Sequence, residues 1–227
     1  LLNFGIIPFF LIGFLDDIFI LSPYTRLFIQ VLTSIIIWSQ GLSMKIPNIF
    51  ISSISLSNSI LEIISLIVTV IWIVGITNAI NWLDGLDGLA AGISAIISAG
   101  FIFIGFFFNR GDIILFATSI LGVTLGFLKY NSYPHDLIMG DGGSYFLGSA
   151  LALLSLSLLQ VEVSYNNIFM VFLILFIPIF DMTQVLFTRI FLGLSPFYPT
   201  KGHIHHRMIR SGLNHPKTVN ILYLFTF

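Results

Sequence analysis

The strongest constraint on this chain is a series of long apolar runs that contain almost no charge. Apolar residues make up 57% of the 227 residues and charged residues 8%, against roughly 25% charged in a typical soluble domain. So few charges cannot cover the surface of a water-soluble protein of this length, which excludes a soluble enzyme, a nucleic-acid-binding protein and a disordered chain. Because the runs are continuous rather than alternating, they indicate transmembrane helices and not the strands of a membrane barrel.

Eight runs are candidates for spans, since a bilayer core about 30 Å thick needs roughly 20 apolar residues per helix. They cover approximately residues 1–15, 27–41, 61–80, 89–108, 112–129, 143–160, 168–188 and an incomplete run from 218. The sequence predicts an all-α, polytopic transmembrane helical bundle of about eight spans, forming one domain over residues 1–227. Residues 42–60 are rich in Ser and Asn, and we expect a small hairpin or surface loop there. Both ends look truncated, because the chain lacks an initiator Met and ends inside an apolar run.

The loops on the two sides of the predicted bundle differ in charge. If successive spans alternate in direction, one side receives Arg26, Lys129, Arg189, Lys201, Arg207, Arg210 and Lys217, and the other side receives Lys45 and Arg110. Positive residues accumulate on the cytoplasmic side of membrane proteins, so the first side is predicted to be cytoplasmic. Most of the aspartates fall on this same side, together with a group of three histidines. Because acidic residues contribute little to topology, this clustering indicates a positively charged partner or a catalytic role.

The first motif is the pair Asp16-Asp17 at the end of the first span. Adjacent carboxylates raise each other's pKa unless a cation lies near them, so the pair is a candidate for metal or substrate binding. The alternative is a solvated helix end, although a negative charge there is unfavourable for the helix dipole.

The second motif is the polar block from Asn78 to Gly92, where one span ends and the next begins. Its polar members are Asn78, Asn81, Asp84 and Asp87, with Gly85 and Gly88 among them. A spacing of three places the first three on one helix face, and the glycines let the backbone approach a ligand closely. Oxygen ligands of this kind suit a hydrated Mg²⁺ and a phosphorylated substrate. A helix C-cap and turn would explain one Gly and one Asn, but not two Asp and two Asn.

The third motif joins residues 131–134 to the block 139–148, which opens a new span. Gly142, Gly143 and Ser144 offer free N–H groups at a helix N-terminus, where a phosphate binds readily. Asp141 is either a ligand in this site or an N-cap of the helix. Asp181 lies in the next apolar run, 168–188, where a carboxylate costs free energy unless it is paired or hydrated. We therefore expect Asp181 to face the same polar site as the motifs or to pair with Arg189.

The fourth motif is His203-Ile204-His205-His206-Arg207 in a basic loop. Three histidines could bind zinc, but the spacing does not match the helical metalloprotease motifs. Anion binding fits better beside diphosphate chemistry, and a solvated charged loop is the structural alternative. His135 and His215 are isolated in the sequence, and no role is predicted for them.

These four motifs, in this order, resemble the polyprenyl-phosphate N-acetylhexosamine-1-phosphate transferases, integral membrane enzymes of the glycosyltransferase 4 family. The resemblance implies transfer of a HexNAc-1-phosphate from a UDP-sugar to polyprenyl (undecaprenyl) phosphate, giving a polyprenyl-diphosphate sugar and UMP. It implies a requirement for Mg²⁺, with Mn²⁺ as an alternative. It also implies a multi-pass protein of the cell (inner) membrane with its site on the cytoplasmic face, no nucleic-acid partner and an undetermined oligomeric state. The His-Ile-His-His-Arg form is similar to the UDP-N-acetylglucosamine branch, which serves cell-envelope polysaccharides.

The resemblance also implies roles for individual residues. The catalytic candidates are Asp16, Asp17, Asp84, Asp87 and His205; the substrate-binding candidates are Asn78, Asn81, Asn131, His203, His206 and Arg207; the metal candidates are Asp141 and Asn81. The chain departs from the common family pattern at Ile20, Tyr24, His135 and Gly142, which bears on substrate specificity more than on the type of reaction. A phosphate monoester is already largely dianionic near pH 7, so we expect Asp16 and Asp17 to position groups or bind metal before they act as a base.

Three alternatives remain open from the sequence. The peptidoglycan branch, which uses UDP-MurNAc-pentapeptide, usually has three consecutive histidines in the fourth motif. A proton-coupled transporter would place its polar residues near mid-membrane and often in two related halves. An intramembrane prenyltransferase also holds Mg²⁺-diphosphate with aspartates, but would not need the third and fourth motifs.

Overall fold

The computed structural model describes residues 2–45, 57–161, 165–198 and 200–227, and these residues form helices and loops without a strand. Within them the helices are α1 (Leu2–Phe19), α2 (Pro23–Ser39), α3 (Asn58–Leu83), α4 (Leu89–Phe107), α5 (Gly111–Asn131), α6 (Gly140–Val161), α7 (Tyr165–Ile174), α8 (Phe176–Phe191), α9 (Ile204–Arg210) and α10 (His215–Thr226). The predicted all-α class is confirmed. Most of the hairpin or loop expected at residues 42–60 lies outside the described residues.

The predicted number of about eight spans is too high. Four described helices, α3 to α6, are long and apolar enough to cross a membrane, and a fifth span exists if α7 and α8 are taken together. Those two helices meet at a bend of 74°. The apolar runs at 27–41 and from 218 form α2 and α10, which have only 17 and 12 residues. At 1.5 Å per residue, such helices are shorter than the bilayer core.

Helix α6 is the centre of the bundle. It packs along α1 and α3 and also contacts α4, α5 and α7. The close approach depends on small residues, since a Cβ on Gly148 would lie 2.7 Å from the Cα of Thr77 on α3. Association of membrane helices depends on such tight packing, because the surrounding lipid is as apolar as the helix faces.

The outer faces of the bundle carry many large, exposed apolar side chains. Examples are Ile71, Phe103, Phe106, Leu115, Phe169, Phe187 and Phe191. An apolar surface of this extent on a water-soluble monomer would cause aggregation, whereas lipid tails cover it without cost. The structure therefore agrees with the membrane location inferred from composition.

The connections at one end of the bundle bring the sequence motifs together. Helix α1 ends and α2 begins there, with the Ser22 hydroxyl accepting the N–H of Thr25 as the N-cap of α2. Helix α3 ends there with Asp84 as its C-cap, and the turn to α4 passes through Gly88 in the left-handed region at φ 76°. The start of α6 and the short helix α9 reach the same end, as the contacts below show.

Candidate active site

Asp17 connects the end of α1 to the beginning of α6. Its Oδ1 accepts the backbone N–H of Asp141 at 2.8 Å, and its Oδ2 accepts that of Gly142 at 3.0 Å. These are N–H groups that the first turn of a helix leaves unbonded, so Asp17 caps α6 from another helix and its charge complements the helix dipole. The free N–H groups predicted at Gly142 are thus partly occupied by a carboxylate of the chain itself.

The Asp141 carboxylate is held between an amide and a guanidinium. Its Oδ1 accepts Nδ2 of Asn81 at 2.8 Å, and its Oδ2 accepts Nη1 of Arg26 at 3.0 Å. The same Asn81 nitrogen also donates to the Ser144 hydroxyl. Arg26 also donates to the buried Asp16 at 2.5 Å, so one guanidinium joins two carboxylates from α1 and α6.

Asp84 and Asp87 lie on the turn between α3 and α4, beside this group. Burial raises the pKa of Asp84 to about 7, and the negative charges of Asp141, Asp17 and Asp87 add to the effect. Like charges that lie this close favour a bound cation, which would relieve their repulsion. The prediction that these aspartates converge from distant parts of the chain agrees with the geometry.

Asp87 is fixed by two histidines for which the sequence predicted no role. Nδ1 of His135 lies 2.8 Å from its carboxylate, and Nε2 of His215 accepts its backbone N–H at 3.0 Å. Burial acts to raise the pKa of Asp87, but the hydrogen bond and charge of His135 outweigh it and the pKa is lowered. The ring of Tyr133 stacks on His215 at 4.6 Å. Both histidines therefore belong to the surroundings of the site.

The histidine motif is anchored from the membrane helix α8. Asp181 accepts the N–H of Ile204 at 2.6 Å and contacts Nδ1 of His203 at 2.7 Å, and both side chains are buried. The alternative pairing of Asp181 with Arg189 is wrong. Arg189 lies instead over the ring of Trp82 at 4.8 Å and donates to the Pro196 carbonyl.

His205 lies beneath the turn that carries the two aspartates. A Cβ on Gly85 would be 2.4 Å from its Nε2, so only glycine leaves room for the ring. Its side chain is fully buried, and neither ring nitrogen has a partner among the described residues. Burial, and then the charge of His206, lowers the pKa of His205 to about 4, so the ring is neutral at pH 7.

His206 and Arg207 are more accessible than the other two histidines. Burial, and then the neighbouring positive charges of His203, Lys201 and Arg210, lowers the pKa of His206. Arg207 is exposed. Of the predicted anion-binding motif, Arg207 is therefore the group that presents a full positive charge to solvent.

Two of the predicted substrate-binding asparagines make contacts within the protein. Asn131 is buried, accepts the N–H of Gly88 at 3.0 Å and donates to the carbonyl of Leu137 at 2.8 Å. Both ends of its amide therefore support the turn, and a role in substrate binding stays a prediction. Asn78 donates to the side chain of Gln30 and lies on the wall of a cavity.

That cavity has a volume of about 540 Å³ and lies between α2, α3 and α8. The polar side chains that line it are Arg26, Gln30, Asn78, Asn81 and Arg189. Apolar side chains that line it include Leu27, Val31, Val70, Ile71, Val74 and Leu186. The cavity therefore brings apolar side chains of the bundle together with Arg26 and Asn81, which hold Asp141.

The donors near Asp141 fit a magnesium ion, although the described residues contain no group of three or more metal-binding side chains. Mg²⁺ takes oxygen ligands and is usually held by one or two carboxylates together with substrate phosphates. Asp141 offers a carboxylate, and Oδ1 of Asn81 accepts no hydrogen bond within the described part of the chain. The surplus negative charge around Asp84 favours a cation in the same place.

The sequence thus identified the aspartates and histidines that meet here, but missed several groups between them. The missed residues are Arg26, Gln30, His135 and His215. Each is separated by at least ten residues from the partner it contacts, and no spacing pattern links the two. Only a general signal was available, since uncharged spans rarely contain polar residues such as Gln30 without a functional reason.

Comparison with known proteins gives the same assignment as the motifs. The chain is 38% identical over 217 residues to a probable undecaprenyl-phosphate N-acetylglucosaminyl 1-phosphate transferase of Bacillus subtilis, covering 95% of this chain and 60% of that protein. It is 30% identical over 158 residues to a decaprenyl-phosphate N-acetylglucosaminephosphotransferase of Mycobacterium leprae, covering 61% of this chain and 40% of that protein. A phospho-N-acetylmuramoyl-pentapeptide-transferase of Prochlorococcus marinus is 32% identical over 237 residues, covering 96% and 64%.

The chain spans about 60% of the length of the Bacillus subtilis relative and about 40% of the Mycobacterium leprae one. The family model described as glycosyl transferase family 4 matches residues 1–159, which carry the first three motifs and most of the aspartates that converge at the site. With its membrane helices and its cluster of aspartates at one end of the bundle, this chain belongs to glycosyl transferase family 4.

Proposed function

We propose that this protein transfers a HexNAc-1-phosphate from a UDP-sugar to polyprenyl phosphate, releasing UMP and a polyprenyl-diphosphate sugar. The observation that carries the proposal is the cavity between α2, α3 and α8, whose lining combines many apolar side chains with the guanidinium groups of Arg26 and Arg189. A lipid that ends in a phosphate combines the same two kinds of group. The names of the Bacillus and Mycobacterium relatives support a polyprenyl phosphate as the acceptor and N-acetylglucosamine as the sugar.

In the proposed reaction, a phosphate oxygen of the lipid forms a bond to the phosphorus that bears the sugar. The bond from that phosphorus to the bridging oxygen breaks, and UMP leaves with the bridging oxygen. Both substrates are anionic, so the site must offset their repulsion and hold them in line. Arg26, which lines the cavity, would bind the acceptor phosphate. Arg207 and His206, both on α9, would supply hydrogen-bond donors for the diphosphate.

Asp141 and Asn81 are the residues that would hold a Mg²⁺, with Asp84 and Asp87 beside them. When bound, the ion would neutralise charge on the diphosphate oxygens. Within the protein, Arg26 pairs with both Asp16 and Asp141 and offsets part of their combined negative charge. This arrangement keeps the acidic groups of α1 and α6 together before any substrate arrives.

The aspartate pair is proposed to position groups rather than to remove a proton. Both oxygens of Asp17 accept backbone N–H groups of α6, and those of Asp16 accept Leu21 N–H and Arg26. These bonds hold the two carboxylates in fixed orientations at the end of α1. The acceptor phosphate needs little help, since it is already mostly dianionic near pH 7.

The proposed setting is a cell membrane with the site at the cytoplasmic face, as the distribution of Lys and Arg favours. The N-acetylmuramoyl-pentapeptide donor remains the second candidate, because the Prochlorococcus marinus relative bears that name and matches nearly the whole chain. The histidine motif and the Bacillus relative favour N-acetylglucosamine.

The test is release of UMP by the complete protein in detergent, given undecaprenyl phosphate and a panel of UDP-sugars, with and without Mg²⁺. UMP should form from UDP-N-acetylglucosamine, only when the lipid is present, and Asp141→Asn should reduce the rate about 100-fold or more. Asp112→Asn is the matched control, because Asp112 also pairs with an arginine. It lies at the start of α5, whereas Asn131, which contacts the turn near the site, lies at the end of that helix. UMP from UDP-MurNAc-pentapeptide alone would show the second candidate to be correct. No UMP from any donor would refute the proposal.

A further inference from the structure

Helix α2 carries a buried amide whose nitrogen has no partner. The Gln30 side chain is 1% exposed, and its Oε1 accepts Nδ2 of Asn78 at 2.7 Å. Its Nε2 makes no hydrogen bond to any described residue. Buried polar groups in folded proteins nearly always have partners, so an unpaired donor of this kind requires an explanation.

The orientation of this amide is determined by its neighbours. Nδ2 of Asn78 also donates to the Val74 carbonyl at 2.8 Å, and only the NH₂ end of an amide can do so. Asn78 therefore presents a donor to Gln30, and the side-chain oxygen of Gln30 must accept this hydrogen bond. Turning the Gln30 amide over would place two NH₂ groups against each other. The unpartnered group is thus the NH₂ of Gln30.

Gln30 lines the same cavity as Arg26, and the two residues are four positions apart on α2. Residues spaced by four are neighbours on one helix face, so both side chains serve the same region of the cavity. Val31, Val70 and Val74 line the same cavity. Apolar side chains of this kind suit the first part of a lipid chain better than a nucleotide.

We propose that the NH₂ of Gln30 donates a hydrogen bond to a phosphate oxygen of the lipid acceptor, next to Arg26. Gln30 is then a residue that binds and selects the acceptor, and the proposal rests on the function proposed above. A phosphate oxygen supplies the acceptor atom that the amide lacks within the protein. The free energy lost by burying an unpaired donor is recovered only when the lipid is bound.

The experiment compares Gln30→Leu with the unchanged protein, both as complete chains in detergent. The KM for undecaprenyl phosphate should rise about tenfold or more, as expected for one hydrogen bond to a charged group. The KM for the UDP-sugar should change less than about twofold, since the donor binds elsewhere. The unfolding temperature without ligand should change by only a few degrees, because the substitution removes the unpaired NH₂ group together with the hydrogen bond from Asn78. Gln30→Met, with a chain of similar length, should behave in the same way.

Thr33→Val is the matched control. Thr33 is a buried polar residue of the same helix, but its hydroxyl already donates to the Ile29 carbonyl and it does not line the cavity. Its substitution should leave both KM values unchanged. An unchanged KM for undecaprenyl phosphate in both Gln30 variants would overturn the inference. So would a loss of stability with equal changes in both KM values, because this result indicates a purely structural role.

A second measurement separates this inference from the proposed function. The unfolding temperature of the unchanged protein should rise with undecaprenyl phosphate micelles, and that of Gln30→Leu should rise much less, whether or not UMP is formed. Equal increases in the two proteins would contradict the role of Gln30. If inorganic phosphate stabilises the unchanged protein as well as the lipid does, the site binds free anions and the lipid assignment is wrong. Absence of UMP with a Gln30-dependent increase would refute only the transferase proposal.

Discussion

Gly13 is the position where a single methyl group should have the largest effect on the site. An added Cβ would lie 2.3 Å from the Asp141 carbonyl oxygen and 2.7 Å from the Gly142 nitrogen. Both are backbone atoms, so no side chain can rotate away. Since ordinary contacts begin near 3.4 Å, α1 and α6 would have to separate by about 1 Å.

Such a separation would lengthen both hydrogen bonds from Asp17 to the start of α6. Overpacking typically costs about 1–3 kcal/mol, and loss of a helix cap about 1 kcal/mol more. We therefore expect Gly13→Ala to lower the free energy of unfolding by about 2–4 kcal/mol. Activity should fall more than stability explains, because the shift displaces Asp141 by a distance that matters for catalysis.

The assay is thermal unfolding in detergent, followed by UMP release at a temperature where the variant remains folded. Gly122→Ala is the control, since a Cβ on this helical glycine of α5 meets no atom within 4 Å. Its unfolding temperature should be unchanged or slightly higher, because alanine favours the helix. If Gly13→Ala is as stable and as active as the control, the close contact of α1 with α6 does not exist as described.

The remaining predictions concern the turn after α3 and the histidine motif. The pKa of Asp84 is raised from 3.8 to about 7, so ionisation of this group opposes folding. The free energy of unfolding should therefore fall as the pH rises from about 4 to 7. Asp84→Asn should reduce this fall by a few kcal/mol, measured in unfolding experiments across that pH range. Asp181→Ala should release His203 and the start of α9, lowering kcat at least tenfold with a smaller change in the KM for the lipid, measured as initial rates of UMP release. Gly85→Ala should displace the buried ring of His205, reduce the rate of UMP release and lower the unfolding temperature by several degrees, because the added Cβ would overlap Nε2 of the ring.

The motifs predicted much of the site because each one lies at the beginning or the end of a helix at the same end of the bundle. Asp17, Asp84 and Asp141 stand at helix ends that the apolar runs already mark, and alternation of spans places those ends on one side. The same reasoning overestimated the number of spans, since hydropathy cannot distinguish a 17-residue helix from a complete crossing. The bend between α7 and α8 was also not predicted, because residues 168–188 read as one continuous run.

The individual contacts could not be obtained in this way. Asp17 was expected to position groups or bind metal, but the sequence did not show that its oxygens cap α6. Asn131 was expected to bind substrate, but the sequence did not show that its amide also supports a turn. A carboxylate or an amide has the same sequence signature whether it faces a ligand or a backbone group. The difference depends on which helix lies opposite, and that is a matter of packing between distant segments.

By itself, the sequence determined the membrane environment, the helical class and the chemical groups available at one end of the bundle. Those properties depend on local composition and on periodicity, which are present in any short stretch of the chain. The tertiary structure alone decided that Arg26 pairs with both Asp16 and Asp141, that Asp181 holds His203, and that Nε2 of Gln30 has no partner among the described residues. Each of these depends on distances of a few ångströms between side chains from different parts of the chain, and such distances are set when the helices pack.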